Sequence, residues 1–195
     1  MPEERPYHHG NLRTALLDAA ERGLRERGAD QLSLRDLARE IGVSHAAPRR
    51  HFADRQALLD ALAETGFLRL GTVFRTALAE ADDFPSRVHG TASAFAHFAV
   101  DNPELLELMN SSKHRTETGP VTRSAEAAFG QMAELIHEGQ AHGDLAPGDP
   151  DRIGIILYAT VQGIAMMVNN KMIGRDQLDS IVEAAIEQFL HGTVH

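Results

Sequence analysis

Hydrophobic residues recur at helical spacing along nearly the whole chain, which predicts an all-α fold of about nine helices. Leu12, Leu16, Ala20 and Leu24 mark a first helix, capped by Asn11 and closed by Arg25, Arg27 and Gly28. Leu34, Leu37, Ala38 and Ile41 follow at i, i+3, i+4 and i+7, with Ser33 as N-cap and Asp36 nearly completing a capping box. Gly42 then gives the backbone freedom a sharp turn needs, and Ser44 caps a second short helix. That helix carries His45, Ala46, Ala47, Arg49, Arg50 and His51, small or basic where a packing helix would carry Leu and Ile. Pro48 falls inside it, removes its first intrahelical hydrogen bond and predicts a tightened first turn. The stretch 33–52 therefore reads as a helix-turn-helix suited to the DNA major groove.

Asp54 caps a long helix to about Ala79, with Leu58, Leu62, Leu70, Phe74 and Leu78 inward. Gly66 and Gly71 interrupt it, either for close packing or as a bendable connector. Asp83-Phe84-Pro85 starts another helix, and Asn102-Pro103 ends it and begins a short one. The stretch 113–119 is a polar loop, and a further helix runs to about His142. Asp149 and Pro150 open the most apolar segment, 153–170, and 174–190 makes the last helix. The former is apolar on too many sides for one neighbour, so the two terminal helices suit packing against a second copy. Ile156, Val161, Ile164, Ile181, Ala185 and Phe189 are the expected dimer contacts.

Charge changes the picture along the chain. The net charge of −9 argues against DNA, yet residues 1–55 hold 10 Arg against 9 acidic residues, and the remainder carries net −10. Phosphate responds to the local basic face, so the acidity belongs to the part held away from DNA. An arm at 2–9 offers Arg5, His8 and His9 to a groove, or is simply a frayed terminus. With no cysteine, disulfides, thiolate metal sites and cysteine nucleophiles are excluded. No apolar run is expected to reach membrane-spanning length, and the start lacks a signal peptide's apolar stretch, so a cytoplasmic location is expected. His89 and His97 are eight apart and do not complete a zinc site, so neither a metal nor a cofactor is expected. No nucleophile elbow, phosphate-cradling loop or HExxH is present, and a helical metal-dependent enzyme is the remotest reading.

The motifs LSLRDLAREIGVS and HF at His51 and Phe52, followed by ADRQALLDAL, make residues 11–67 resemble the DNA-binding domain of the TetR family of bacterial regulators. The leading YHHGNLR is typical of one branch of that family. The chain departs from the pattern at position 49, where an aromatic is usual and Arg49 stands. The resemblance implies a three-helix DNA-binding domain at 11–70 and an effector-binding and dimerisation domain at 71–195. Its partners would be a near-palindromic duplex operator, a second copy and a small-molecule effector, and its action more often repression. The expected DNA set is Ser33, Arg35, Ser44, His45, Ala46, Ala47, Arg49, Arg50, His51 and Arg55. The expected effector pocket is Phe74, Phe95, Phe98, Met109, Phe129, Met132 and Met166. A DNA-binding regulator governed by a protein partner or by its abundance, with a solid C-terminal core, is the rival.

Overall fold

The computed structural model describes residues 12–113, 115 and 118–192. The arm at 2–9, the Asn11 cap and His114 lie outside the described residues. Among those described, the chain forms eight α-helices and three single-turn 3-10 helices, with no strand. The helices are α1 (Leu12–Arg27), α2 (Leu34–Glu40), α3 (Arg55–Ala79), α4 (Phe84–Asp101), α5 (Pro103–Lys113), α6 (Pro120–His142), α7 (Pro150–Asn169) and α8 (Leu178–Gly192).

The expected caps form. Ser33 accepts from Asp36 N–H at 3.1 Å, Asp54 from Ala57 N–H and Asp83 from Ser86 N–H, both at 2.8 Å. Gly42 adopts φ +73° just past α2, and Val43 N–H reaches back to Ala38 C=O at 2.9 Å. That 6→1 bond satisfies a carbonyl the helix end would orphan, and the positive φ is why glycine stands there.

The second helix of the pair is where expectation and structure part. Residues 44–47 form a turn, and only Pro48–Arg50 is helical, as one 3-10 turn. Pro48 has no N–H to reach Ser44 C=O, so that carbonyl accepts from Ala47 N–H at 3.0 Å in a tighter turn. Phe52, just past the turn, is 2% exposed and takes the Arg13 guanidinium over its ring at 5.5 Å. The element is thus a short, proline-stiffened wedge held on α1.

α3 is the axis of the molecule: α6, α4 and α5 pack along it, and α4 in turn seats α7 and α8. Leu58, Leu62, Phe67, Leu70 and Phe74 are all at most 3% exposed. Burying each such side chain stabilises by about 1.5–3 kcal/mol before entropy is counted. Gly66 belongs to this packing rather than to a bend, because a Cβ there would lie 2.6 Å from Met109 Sδ on α5. Three ties fix α3 to its neighbours. Arg69 donates to both Glu21 oxygens of α1 at 2.8 Å, Arg115 donates to Asp60 Oδ1 at 2.6 Å, and Gln131 Nε2 donates to Gly71 C=O at 3.0 Å.

α7 corrects two expectations. At 20 residues it is long and apolar enough by length and composition to cross a membrane, because from Ile153 to Val168 only Gly, Thr, Tyr and Gln dilute its apolar run. Its two faces also divide differently from the expected dimer set. Val161 and Ile164 are 1% and 7% exposed and turn inward within the same protomer. Ile155, Ile156, Met166 and Met167 face out, Ile155 being 67% exposed. The rotation of about 100° per residue places 155, 156, 159, 163, 166 and 167 on one stripe and 161, 164 and 165 on the other.

Candidate nucleic-acid interface and ligand cavity

The residues expected on the DNA face are gathered at one end of the molecule. Arg35, Ser44, His45, Ala46, Arg49, Arg50 and His51 are exposed, and Ala47 is half-buried. Their local structure explains this: the wedge after Gly42 turns its apolar side, Pro48 and Phe52, onto the helices beneath.

The arginines of this region divide into two groups. Arg22 pairs with Glu40, Arg25 and Arg69 with Glu21, Arg27 with Glu26 and Arg39 with Asp36, all within 4.0 Å. Arg35, Arg49 and Arg50 form no ion pair within 4.0 Å among the described residues. These three exposed guanidiniums keep their N–H donors free of carboxylate contacts, the feature a phosphate-binding surface requires. Arg39 nearby lies on the same short helix but is answered by Asp36 at 2.8 Å.

Two members of the expected set have other work. Ser33 Oγ accepts from Asp36 N–H and donates to Asp36 Oδ2 at 2.6 Å, a bond that holds the Asp36 carboxyl below its ordinary range. Its hydroxyl is occupied by the cap. Arg55 donates from Nε to Leu32 C=O at 2.9 Å and from a terminal nitrogen to Ala29 C=O, so it braces the α1–α2 connection. Ala29 C=O also accepts from Leu32 N–H at 3.1 Å, so Arg55 closes on carbonyls of a single-turn connection that sequence spacing alone does not reveal.

A cavity of about 570 Å³ lies between α3, α4, α6 and α7. Of the expected pocket residues, Phe74, Phe95, Phe129 and Met132 line it. Phe98 and Met109 do not: Phe98 is 6% exposed one turn beyond Phe95 on α4, past the cavity lining, and Met109 is fully buried against Gly66. Met166 stands on the outer stripe of α7, as does Met167. Phe189, expected at the dimer contact, lines the cavity, and Ile181 and Ala185 are half-buried on α8.

The lining is aromatic. Phe95 stacks at 5.1 Å from Tyr158, Phe129 meets Tyr158 edge-on at 5.5 Å, and Phe74 lies 6.2 Å from Phe95 and 6.5 Å from Phe129. Tyr158 O–H donates to Asn110 Oδ1 at 3.1 Å, and burial pushes its hydroxyl pKa up. Lys113 Nζ sits 5.0 Å from the Phe129 ring centroid. Sequence spacing does not assign Asn110, Lys113 or Tyr158 to the pocket. Lys113 reads as the first residue of a polar loop, and its role depends on how α5 meets α6. Elsewhere His97 Nε2 lies 2.7 Å from Asp179 Oδ1, bridging α4 and α8.

Comparison with known proteins agrees with this architecture. Residues 16–62 match the model for bacterial regulatory proteins of the tetR family, and residues 88–189 match a tetracyclin repressor-like C-terminal domain. A class C tetracycline repressor protein of Escherichia coli is 31% identical over 132 residues, covering 68% of this chain and 57% of the repressor. The class A protein from the same organism is 32% identical over 62% of this chain and 52% of its own length. The chain thus spans little more than half the length of these relatives. A solved structure of a Rhodococcus sp. protein of unknown function shares 45% identity, with a TM-score of 0.90 over 98% of this chain and all of that one. A TetR-family structure from Rhodococcus sp., at 24% identity and a TM-score of 0.72 over 91% of this chain and 97% of its own, shares the fold.

Proposed function

Because this chain belongs to the tetR family of bacterial regulatory proteins, we propose that it is a DNA-binding transcription regulator, a repressor released from its operator by a small molecule. Residues 11–70 form the reading head and residues 71–195 the effector-binding and dimerising body. The observation that carries this reading is the division of the arginines: those beside carboxylates brace the head, and Arg35, Arg49 and Arg50 are left for phosphate and base edges. Its place of action is where the chromosome is, in the cytoplasm.

A second copy completes the molecule. The outer stripe of α7 presents Ile155, Ile156, Met166 and Met167 to solvent, large side chains on one helix face. Covering that stripe with its mate across a two-fold axis sets two reading heads side by side. Heads about 34–36 Å apart match successive major grooves of a near-palindromic operator.

The cavity beside α3 supplies the switch. A ligand among Phe74, Phe95 and Phe129 touches the same helix that carries Asp60 and Leu58 into the head. Release requires only that it bind better to the arrangement that does not fit DNA, and a coupling of about 1–3 kcal/mol gives about 5–150-fold weaker operator binding. A cavity of about 570 Å³ favours this over the rival of a solid core answering to a protein partner.

A gel shift with DNA flanking the protein's own gene, run beside random duplex of equal length, tests the reading. Selective retardation of the flanking fragment is expected. Equal retardation of both, or none, overturns it.

A further inference from the structure

The chemistry of the cavity wall goes beyond the statement that something binds there. Lys113 is half-buried, and its ammonium faces the Phe129 ring with no carboxylate within 4.0 Å among the described residues. One turn earlier on the same face of α5 stands Asn110, at the i, i+3 spacing that makes helix neighbours. Its Oδ1 is taken by Tyr158 O–H, which turns the amide nitrogen, a donor of two N–H bonds, to the remaining side. Two donors, one of them charged, therefore stand together on a wall that is mostly phenyl and alkyl, the Thr91 and Tyr158 hydroxyls being spent on Arg87 C=O and Asn110 Oδ1. Among the described residues the one carboxylate at the cavity, Asp151, is exposed at the start of α7 and is screened by solvent.

We infer that the cavity takes an apolar monocarboxylate, an aliphatic or aryl acid, its two oxygens on Lys113 Nζ and Asn110 Nδ2 and its body among Phe74, Phe95, Phe129 and Tyr158. This inference rests on the ligand-binding reading of the cavity and adds its chemical class. A carboxylate matches the pair because it accepts at both oxygens, and a charge-assisted bond in an aromatic surrounding is stronger than a neutral one. A cationic ligand is disfavoured because the Lys113 ammonium on the wall repels it and already covers the Phe129 ring. A neutral ligand of the same shape leaves that ammonium without an anion.

Calorimetric titration of the whole chain with decanoate and decyltrimethylammonium below their micelle-forming concentrations, and with decanol below its solubility limit, is the test. Decanoate is expected to bind at least about tenfold tighter than decanol, as one charge-assisted bond in a buried site implies, with the ammonium weakest. Lys113→Met keeps the alkyl stem and should bring decanoate down to the decanol level, removing the difference between the two. Asn110→Asp, which sets a carboxylate against the acid, should lower decanoate affinity and spare decanol. Decanol equal to decanoate in the unaltered protein overturns the acid inference and leaves the ligand cavity standing. Binding of none of the three, by protein that still retards its own flanking DNA, removes both.

Discussion

Gly66 and Gly71 stand five residues apart on α3, and the same substitution at each should move stability in opposite directions. A Cβ at Gly71 would lie 3.6 Å from Ala128 Cα and 3.5 Å from Gln131 Nε2, ordinary contact distances. Gly71→Ala then gains the helix-propensity difference, about 1 kcal/mol. A Cβ at Gly66 would lie 2.6 Å from Met109 Sδ, 2.9 Å from its Cγ and 3.3 Å from Leu105 Cδ1. Met109 is fully buried, so its side chain has little room to withdraw, and overpacking costs about 1–3 kcal/mol. Gly66→Ala should therefore lose about 1 kcal/mol net, and the two variants should differ by about 2 kcal/mol. For a chain of this size that is a separation of about 4–8 °C in Tm, read by circular dichroism at one fixed protein concentration because association shifts Tm. Placing Gly66→Ala in a Met109→Ala background should convert its loss into a gain, since the clashing sulfur is gone. If both glycine variants shift Tm alike, or the Met109 background leaves Gly66→Ala destabilising, close packing of α3 on α5 is not why Gly66 stands there.

Other consequences rest on individual side chains. Arg115 joins the end of α5, two residues from Lys113, to Asp60 on α3; Arg115→Ala should cost at most about 1 kcal/mol of stability in a partly exposed pair yet reduce ligand-induced release in a DNA-anisotropy titration. Unchanged release would remove this tie from the coupling route. Arg69 holds the Glu21 carboxyl below its ordinary value near 4.5. A depressed carboxyl contributes stability above the unfolded value that drains as pH falls through the folded one. Glu21→Gln should accordingly lose about 1 kcal/mol at neutral pH and progressively less below pH 4.5, as urea midpoints at several pH values would show; a loss independent of pH contradicts it. Met166→Glu places a charge on the outer α7 stripe, where the side chain is 54% exposed in the single protomer, and should shift sedimentation velocity from dimer to monomer while the far-ultraviolet spectrum stays helical. A dimer that survives would move the two-fold contact elsewhere.

How much of the molecule is legible in its sequence depends on how local the cause is. Ser33, Asp54, Asp83 and Asp149 each cap the helix expected of them, because a cap is decided within three residues. Gly42 takes the positive φ its position demands for the same reason. Pro48 predicts a tightened turn inside a helix, and the tightening goes further, leaving one 3-10 turn where a helix is expected. Whether α7 turns Val161 or Ile156 inward is a matter of helix rotation, and an apolar residue on either side of such a helix carries no mark of which neighbour it meets. Phe98 and Met109 fall outside the cavity on the same ground, since buried and pocket-lining apolar side chains look alike in sequence. Arg55 and Lys113 are the clearer lesson. Each has its partner, a loop carbonyl or a ring, at a distance along the chain that no spacing rule covers.

Arg49 and Arg50 stand free of carboxylates, and the regulator reading depends before any other on the proposal that phosphate and bases are their partners. Binding of the operator fragment by wild type and by an Arg49→Ala/Arg50→Ala variant, across a series of salt concentrations, measures it. Removing one phosphate-neutralising side chain lowers the slope of log K against log salt by about 0.9, so the variant should show a slope smaller by up to about two per reading head. A variant that binds as tightly, with the same slope, would contradict the claim.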